Sequence, residues 1–343
     1  DDSELIGVLS ESKKTAITVE ENLKNAAETE IRISETREEY RPVAIRGSVL
    51  YFLISSMTEV NNMYNVALAQ FMELFFISCD RSDKAPLAKK RIANIIDYLS
   101  FCVYAYVQRG LFTRHKMMFA FLMTMKIAIR GGPGELPGMP APDAWLTQAE
   151  LDCILKGGAA LDITAIRKKP FPWIPDIVWA NVIAASEMPG LSDLADCVYR
   201  NETAWRNWFE LEAPEEVPVP DFGERGTPFQ ICLITRSFRN DRSLPAVANY
   251  IRAESGGQFV DSIPVDFHVA HQETVDSGHG ARVPFICLLS PGADPTGMIE
   301  DLAKKQKKKI PSVSMGQGQE VIARRLVGNG VISGEWAVLQ NCH

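Results

Sequence analysis

Val283-Pro284-Phe285-Ile286-Cys287-Leu288-Leu289 runs directly into Ser290-Pro291-Gly292-Ala293-Asp294-Pro295-Thr296-Gly297-Met298, and this stretch decides how the C-terminal part of the chain folds. A short apolar run bounded by breaking residues predicts a buried strand. A helical pattern follows from Met298 to Lys308. P-loop proteins bind phosphate in a loop between a strand and a helix, so the stretch predicts a core of that type.

The loop has the position of a phosphate-binding loop without its chemistry. The functional pattern is Gly-x-x-x-x-Gly-Lys-Ser/Thr, in which the lysine reaches the β- and γ-phosphates. Here no lysine follows the glycine, Asp294 places a negative charge where an anion would dock, and Pro295 lacks an amide donor. We predict a degenerate phosphate loop that comprises Ser290, Pro291, Gly292, Ala293, Asp294, Pro295 and Thr296.

The patterns after the loop continue an α/β order. Residues 310–315 and 336–340 are strand-like and residues 319–327 are helical, which predicts a parallel sheet. An ATPase needs carboxylates at the end of the acceptor strand, where they serve magnesium binding and water activation. This strand ends in the uncharged Gln340 and Asn341. We therefore predict a structural α/β core with a degenerate acceptor strand and no catalytic residue.

The N-terminal part of the chain reads as one long helix over residues 4–41, which Pro42 ends. Residues recur at alternating steps of four and three, the pattern of a heptad seam, although the seam is weak because some of its members are small or polar. Both an antiparallel strut that pairs with a second helix and an ordinary amphipathic surface helix fit this pattern. The seam positions are Leu5, Leu9, Ser12, Ala16, Val19, Leu23, Ala26, Glu30, Ile33, Arg37 and Tyr40.

The middle of the chain predicts helices of two kinds. A small apolar bundle begins with Ser48 as the N-cap of its first helix and continues with helices over 66–75, 86–108 and 112–130. Residues 131–225 form an irregular helical connector, because prolines cluster there between short helical patterns. Its tryptophans are expected to pin these helices to their neighbours.

Three arginines form a cluster after residues 229–235, a run that fits either a strand or the start of a helix. The three are Arg236, Arg239 and Arg242, and Asp241 lies among them. They fit either inter-module arginines that reach a neighbouring site or a structural salt-bridge cluster. A metal site at the nearby histidines 268, 271 and 279 is not expected, since no fourth ligand follows at a suitable spacing.

Composition excludes several classes of partner. The net charge of -7 disfavours nucleic-acid binding, and the short basic run over 304–309 reads as a solvated helix end. No apolar stretch approaches the ~18 residues of a membrane span. The seven cysteines contain no Cys-x-x-Cys and indicate reduced thiols in a cytosolic-type compartment. Because the sequence starts without Met and shows no signal peptide, we expect a fragment of a longer protein.

Several longer runs of the sequence are unusual enough to carry a family resemblance. They are Arg37-Glu38-Glu39-Tyr40-Arg41-Pro42-Val43-Ala44, Arg46-Gly47-Ser48-Val49-Leu50-Tyr51-Phe52, Arg109-Gly110-Leu111-Phe112, Leu155-Lys156-Gly157-Gly158-Ala159-Ala160-Leu161-Asp162, Asp294-Pro295-Thr296, Ser314-Met315-Gly316-Gln317-Gly318-Gln319-Glu320 and Val338-Leu339-Gln340-Asn341-Cys342-His343. These runs resemble one family, the axonemal dynein heavy chains, and in particular the gamma class of the outer arm. Asn240 departs from the family, which usually carries Pro there.

The resemblance implies a map of modules. Residues 1–42 would be the strut (buttress) helix and residues 43–130 the helical lid of the fifth AAA+ module. Residues 131–225 would be the connector, and residues 226–343 the N-terminal part of a truncated sixth AAA+ core. The fold class would be α plus α/β, with a long coiled-coil-like helix, a lid bundle and a partial P-loop-type parallel core.

The resemblance also implies a role. The chain would relay force, without chemistry of its own, in the ATP-driven minus-end-directed microtubule motor of the cilium or flagellum axoneme. ATP and magnesium would bind in other modules of the motor and not in this chain. Partners would be the other AAA+ modules and the stalk, and, through the complex, intermediate chains, light chains and microtubules. The alternative is an autonomous P-loop-like nucleotide-binding enzyme with an atypical phosphate loop.

Overall fold

The computed structural model describes residues 2–130, 146–159, 161, 166–261, 263–276, 284–289 and 292–342. The chain divides into two compact units, Asp1–Asp261 and Ser262–His343. The first unit is helical and the second contains helices and a small parallel sheet. Among the described residues, no helix is both long and apolar enough to cross a membrane.

The first unit begins with the predicted long helix, α1 (Asp2–Glu39). The chain turns at Tyr40 and enters α2 (Arg41–Ser56), with Pro42 in the first turn, where a missing N–H costs nothing. Ser48 is therefore not an N-cap as predicted: it lies inside α2, and its hydroxyl donates to the carbonyl of Ile45 over 2.8 Å. The side chains of α1 are exposed throughout residues 12–39.

The predicted bundle consists of α2 with α3 (Leu68–Arg81), α4 (Ala88–Gly110) and α5 (Thr113–Arg130). Its apolar residues recur at helical spacing, and α4 packs on both α2 and α3. The prediction that the aromatic and Met side chains belong to the core holds for part of them, whereas Phe52, Phe76 and Met63 are exposed. Residues buried to 3 % exposure or less include Leu50, Leu53, Ile54, Ile95, Leu99, Val103, Phe119 and Met125.

Six shorter α-helices follow in the described part of the first unit. Tryptophans pin them as expected: Trp205 Nε1 donates to Asp221 Oδ2 over 3.0 Å, and Trp208 Nε1 donates to the Pro214 carbonyl over 3.0 Å. Trp145 lies outside the described residues. The helices are α6 (Gln148–Lys156), α7 (Asp176–Ser186), α8 (Leu194–Arg200), α9 (Glu202–Glu210), α10 (Pro228–Phe238) and α11 (Ser243–Glu254).

Residues 226–261 pack with the helical unit, whereas the sequence interpretation assigned them to the α/β core. A capping box between Thr227 and Gln230 starts α10 with Pro228 at its first position, so the run 229–235 is helix and not strand. This helix packs against α7 and α11, and α11 packs against α5. The module boundary proposed at residue 226 remains a prediction.

The second unit contains α12 (Phe267–Asp276), α13 (Thr296–Lys305), β1 (Ser312–Ser314), α14 (Glu320–Ser333) and β2 (Val338–Gln340). The strands are parallel, as predicted, with Ser312 opposite Val338 and Ser314 opposite Gln340. The predicted strand at 283–289 is not formed over its described part, 284–289. Those residues are exposed and pair with neither strand, and an apolar run without a ladder partner cannot be a strand.

Gly158, in the turn that follows α6, packs directly against the backbone of α7. The Gly158 N–H donates to Asn181 Oδ1 over 2.8 Å, and a Cβ built on Gly158 would lie 2.4 Å from the carbonyl carbon and oxygen of Ala180. Both obstructing atoms belong to the backbone of a packed helix, so they cannot move aside as a flexible side chain would. Only glycine fits at this contact.

We predict that Gly158→Ala lowers the free energy of unfolding by about 1–3 kcal/mol, because overpacking forces the two helices apart. Urea unfolding followed by circular dichroism measures the change. Gly110→Ala is the matched control, since no atom lies within 4 Å of a Cβ built there. It should leave stability unchanged or raise it by up to about 1 kcal/mol. Equal destabilisation by both variants would contradict the contact.

Candidate functional site

In the described part of the predicted phosphate loop, residues 292–296, two residues of the loop bond to each other. Gly292 takes a positive φ of 84°, and the chain enters α13 at Thr296. Asp294 Oδ1 accepts two hydrogen bonds from that residue, one from its backbone N–H over 2.9 Å and one from its hydroxyl over 2.6 Å. Ser290 and Pro291 lie outside the described residues.

The position at which this loop could bind an external anion already contains a negatively charged side chain. A helix N-terminus attracts negative charge through its free N–H groups. At α13 the Asp294 carboxylate takes that place, and the hydrogen bonds from the Thr296 hydroxyl and N–H hold its pKa below the ordinary value. Pro295 contributes no N–H. A phosphate group would have to displace a carboxylate of like charge.

Gln340 and Asn341 lie where the predicted acceptor strand ends. The Gln340 carbonyl accepts the Met315 N–H over 2.7 Å, which extends the pairing of the two strands. Asn341 has a φ of 56°, and its Nδ2 donates to Ser314 Oγ over 2.9 Å. These side chains are neutral and one of them ties the strand ends together. Within the described residues, no hydrogen bond or ion pair joins residues 292–296 to this strand end.

The described histidines of the second unit contact side chains that are not metal ligands. His268 Nε2 lies 3.0 Å from Lys305 Nζ, and the ring of His271 lies 5.2 Å from that of Trp336. His279 falls outside the described residues. In the part of the chain that the structure describes, no group of three or more His, Cys, Asp or Glu side chains is arranged to hold a metal ion.

Two of the three arginines are held by hydrogen bonds inside the first unit. Arg239 donates to both carboxylate oxygens of Asp241, over 2.9 and 2.7 Å, and to the carbonyls of Phe209 and Leu211, each over 2.7 Å. Arg242 donates to both oxygens of Glu215, whose side chain is only 4 % exposed. Such bidentate pairs are rigid and directional. They match the salt-bridge interpretation of these two residues.

Arg236 does not join them. Its side chain points from α10 toward the Gly157 turn, and Nη1 is buried. The structure therefore separates the predicted cluster into a bonded pair, Arg239 and Arg242, and one arginine that faces elsewhere.

Sequence reasoning missed Glu215, which neutralises Arg242 across 27 positions of the chain. Asp241 could be identified as a partner from the sequence, because it lies close to the three arginines along the chain. The contact to Glu215 depends on how the segment after α9 folds back on α11, and Pro214 and Glu215 carry no pattern that signals it.

The Arg242–Glu215 pair predicts a pH-dependent loss of stability. The Arg242 hydrogen bond holds the pKa of Glu215 below its ordinary value. A lowered pKa in the folded state means that the stabilisation is complete above the unfolded pKa, about 4.3, and is lost as the pH falls through the folded value. Glu215→Gln should therefore lower the urea midpoint at pH 7 and have a smaller effect at pH 3.

The control for that experiment is Glu210→Gln. It removes an exposed salt bridge between Glu210 and Arg206, which lies one helical turn earlier on α9. Exposed pairs contribute little, so the control should leave the urea midpoint at pH 7 nearly unchanged. A Glu215→Gln effect that is the same at both pH values would show that the charge of Glu215 does not contribute.

Comparison with known proteins identifies the family of this chain. The family model described as the dynein heavy chain region D6 P-loop domain matches residues 280–343, which include the degenerate loop and both strands. The curated relatives match along the whole chain, but the chain spans only about 7 % of their length.

The chain is 48 % identical over 340 residues to the dynein gamma chain of the flagellar outer arm of Chlamydomonas reinhardtii, a match that covers 99 % of this chain. It is 42 % identical over 344 residues both to human dynein axonemal heavy chain 8 and to mouse dynein axonemal heavy chain 5, each across 100 % of this chain. The chain thus belongs to the axonemal dynein heavy chain family, whose place is the axoneme of cilia and flagella.

Proposed function

We propose that this chain is a non-catalytic, force-relaying part of a dynein heavy chain, the ATP-driven minus-end-directed microtubule motor of cilia and flagella. The observation that carries the non-catalytic half of the proposal is the position of Asp294. Its carboxylate accepts the N–H of the first residue of α13, where a P-loop protein would hold phosphate. The neutral Gln340 and Asn341 supply neither a magnesium ligand nor a base.

Two features support the relay. The first unit is cross-tied by the bonds of Arg239 to the carbonyls of Phe209 and Leu211 and by the Trp205–Phe238 stack, whose ring centroids lie 5.0 Å apart. We expect a unit held in this way to move as one rigid body and not to deform when a force displaces it.

The second feature is α1. Three apolar members of the predicted seam lie on its surface: Val19 is 50 % exposed, Leu23 65 % and Ile33 55 %. A helix of 38 residues that leaves its apolar seam exposed gains stability from a partner helix. We propose that this helix is the returning arm of a strut that leaves the fifth AAA+ module and braces the stalk.

The proposal also says where the cofactors and partners of the motor bind. ATP and magnesium bind in other modules, and this chain needs no cofactor. Its direct partners are the other AAA+ modules and the stalk of the same heavy chain. Intermediate chains, light chains and microtubules are partners of the complete complex. The competing function, an autonomous nucleotide-binding enzyme, requires that the loop at 292–296 holds phosphate.

Isothermal titration of the chain with ATP and magnesium separates the two functions. We predict no saturable binding in the micromolar range, because the Asp294 carboxylate and the phosphates repel each other. Asp294→Asn is the matched variant, since it removes the charge and keeps an acceptor for Thr296. Micromolar affinity in the unaltered chain that changes in the variant would establish the competing function.

A seam substitution in a full-length heavy chain tests the relay. Leu23→Glu with Ile33→Glu should slow microtubule gliding severalfold and leave the basal ATPase rate intact, because the partner helix loses an apolar surface. Both side chains are exposed, so the fold of this chain does not depend on them. Ile17→Glu with Ile31→Glu is the control, because these apolar residues are equally exposed and lie off the seam. Equal slowing by both pairs would contradict a strut at this seam.

A further inference from the structure

A shallow groove lies along the last turns of α1, where this helix joins the bundle. The groove has a volume of about 340 Å³, opens to solvent, and is lined by Arg32, Ile33, Thr36, Arg37 and Tyr40. Tyr40 also packs against a buried apolar cluster formed by residues of α2 and α4. A segment that docks in this groove therefore contacts α1 at the point where the bundle holds it.

The groove combines an apolar surface with a positive charge on each side. Successive residues of a helix are about 100° apart around its axis, so Ile33, Thr36 and Tyr40 share one face. By the same geometry, Arg32 lies on one side of that face and Arg37 on the other. Ile33 is 55 % exposed. The groove thus fits a partner that combines an apolar or small side chain with negative charge.

Arg37 has no acidic neighbour on α1 with which it could pair. Side chains on a helix surface interact with those three and four positions away. Around Arg37 one of those positions carries a cation and none carries an anion, since they are Ile33, Ser34, Tyr40 and Arg41. Among the described residues, the Arg37 side chain makes no hydrogen bond and no ion pair. Its charge is therefore compensated by solvent alone unless a partner approaches.

Arg32 differs from Arg37 in this respect. Glu28 lies four positions before Arg32 and Glu35 three positions after it, so α1 itself supplies acidic neighbours. Arg37 is also a member of the predicted seam, so it faces any helix that pairs with α1. The C-terminus of a helix attracts a cation, which accounts for a basic residue in the last turn. It does not account for a charge within the seam, which costs stability until a partner compensates it.

We propose that the second helix of the strut docks in this groove and places a carboxylate, from Asp or Glu, against Arg37. This assignment rests on the proposed function, because the strut supplies the helix. The guanidinium fork of Arg37 donates two N–H groups to the two carboxylate oxygens, and an apolar or small side chain of the same helix covers Ile33. A charged seam position is compensated in one register only, so Arg37 fixes the offset between the two helices.

Zero-length cross-linking of a full-length heavy chain that carries Arg37→Lys provides the test. The substitution keeps the positive charge and introduces an amine, which a carbodiimide joins to a contacting carboxylate as an amide. We expect mass spectrometry to find an amide between position 37 and an Asp or Glu outside residues 1–343. Lys24 is the internal control, because it is exposed on the opposite side of α1 and should react only with carboxylates of α1.

Charge reversal gives a second readout in the same motor. Arg37→Glu should slow microtubule gliding severalfold, because it brings two negative charges together in the seam. Lys24→Glu changes the charge by the same amount on the opposite side and should leave the gliding velocity unchanged. Replacing the cross-linked carboxylate with lysine should restore gliding in the Arg37→Glu motor.

Cross-links from position 37 to carboxylates of α1 alone, or none at all, would overturn the assignment of a partner carboxylate. The strut itself would stand in that case if Leu23→Glu with Ile33→Glu still slows gliding. A distant cross-link combined with unaltered gliding in that seam variant would keep the docking site and reject the force relay.

Discussion

The account of the second unit depends on the hydrogen bonds between Asp294 and Thr296 at the start of α13. One carboxylate oxygen accepts both the N–H and the hydroxyl of the first residue of that helix, and it places a negative charge near the helix N-terminus, which attracts such a charge. In a P-loop protein the phosphates of a nucleotide occupy the corresponding position. Here the charge belongs to a side chain of the chain itself, and this difference is the basis of our proposal that the loop is structural and not catalytic.

The force relay that we propose requires a first unit that resists deformation. The described part of that unit contains contacts of fixed geometry: buried tryptophans with satisfied N–H groups, bidentate arginine–carboxylate pairs, and the contact between Gly158 and the backbone of α7. Each of these has a single geometry, unlike a purely apolar contact, which can slide. The long helix α1 differs, because Val19, Leu23 and Ile33 of its predicted seam are exposed, and such a helix would gain stability from a partner.

Much of this arrangement follows from local sequence. Pro42 fixes the end of the long helix to within a few residues, and the apolar periodicity places the bundle helices. The absence of lysine after the loop predicts that the phosphate chemistry is lost, although the bonds of Asp294 to Thr296 were not foreseen. One failed prediction depends on distant partners: the run 284–289 is apolar enough for a strand but has no ladder beside it. The run 229–235, which fitted either a strand or the start of a helix, is helical, and the local capping box at Thr227 starts that helix. The Glu215–Arg242 pair joins segments whose approach no local pattern encodes.

The most direct measurement is a density map of a full-length heavy chain of this family, determined with saturating ATP and magnesium. The account predicts that the Asp294 carboxylate remains on the Thr296 N–H and that no nucleotide occupies the space between this loop and Gln340. Density for ATP and magnesium between residues 292–296 and Gln340 would contradict it.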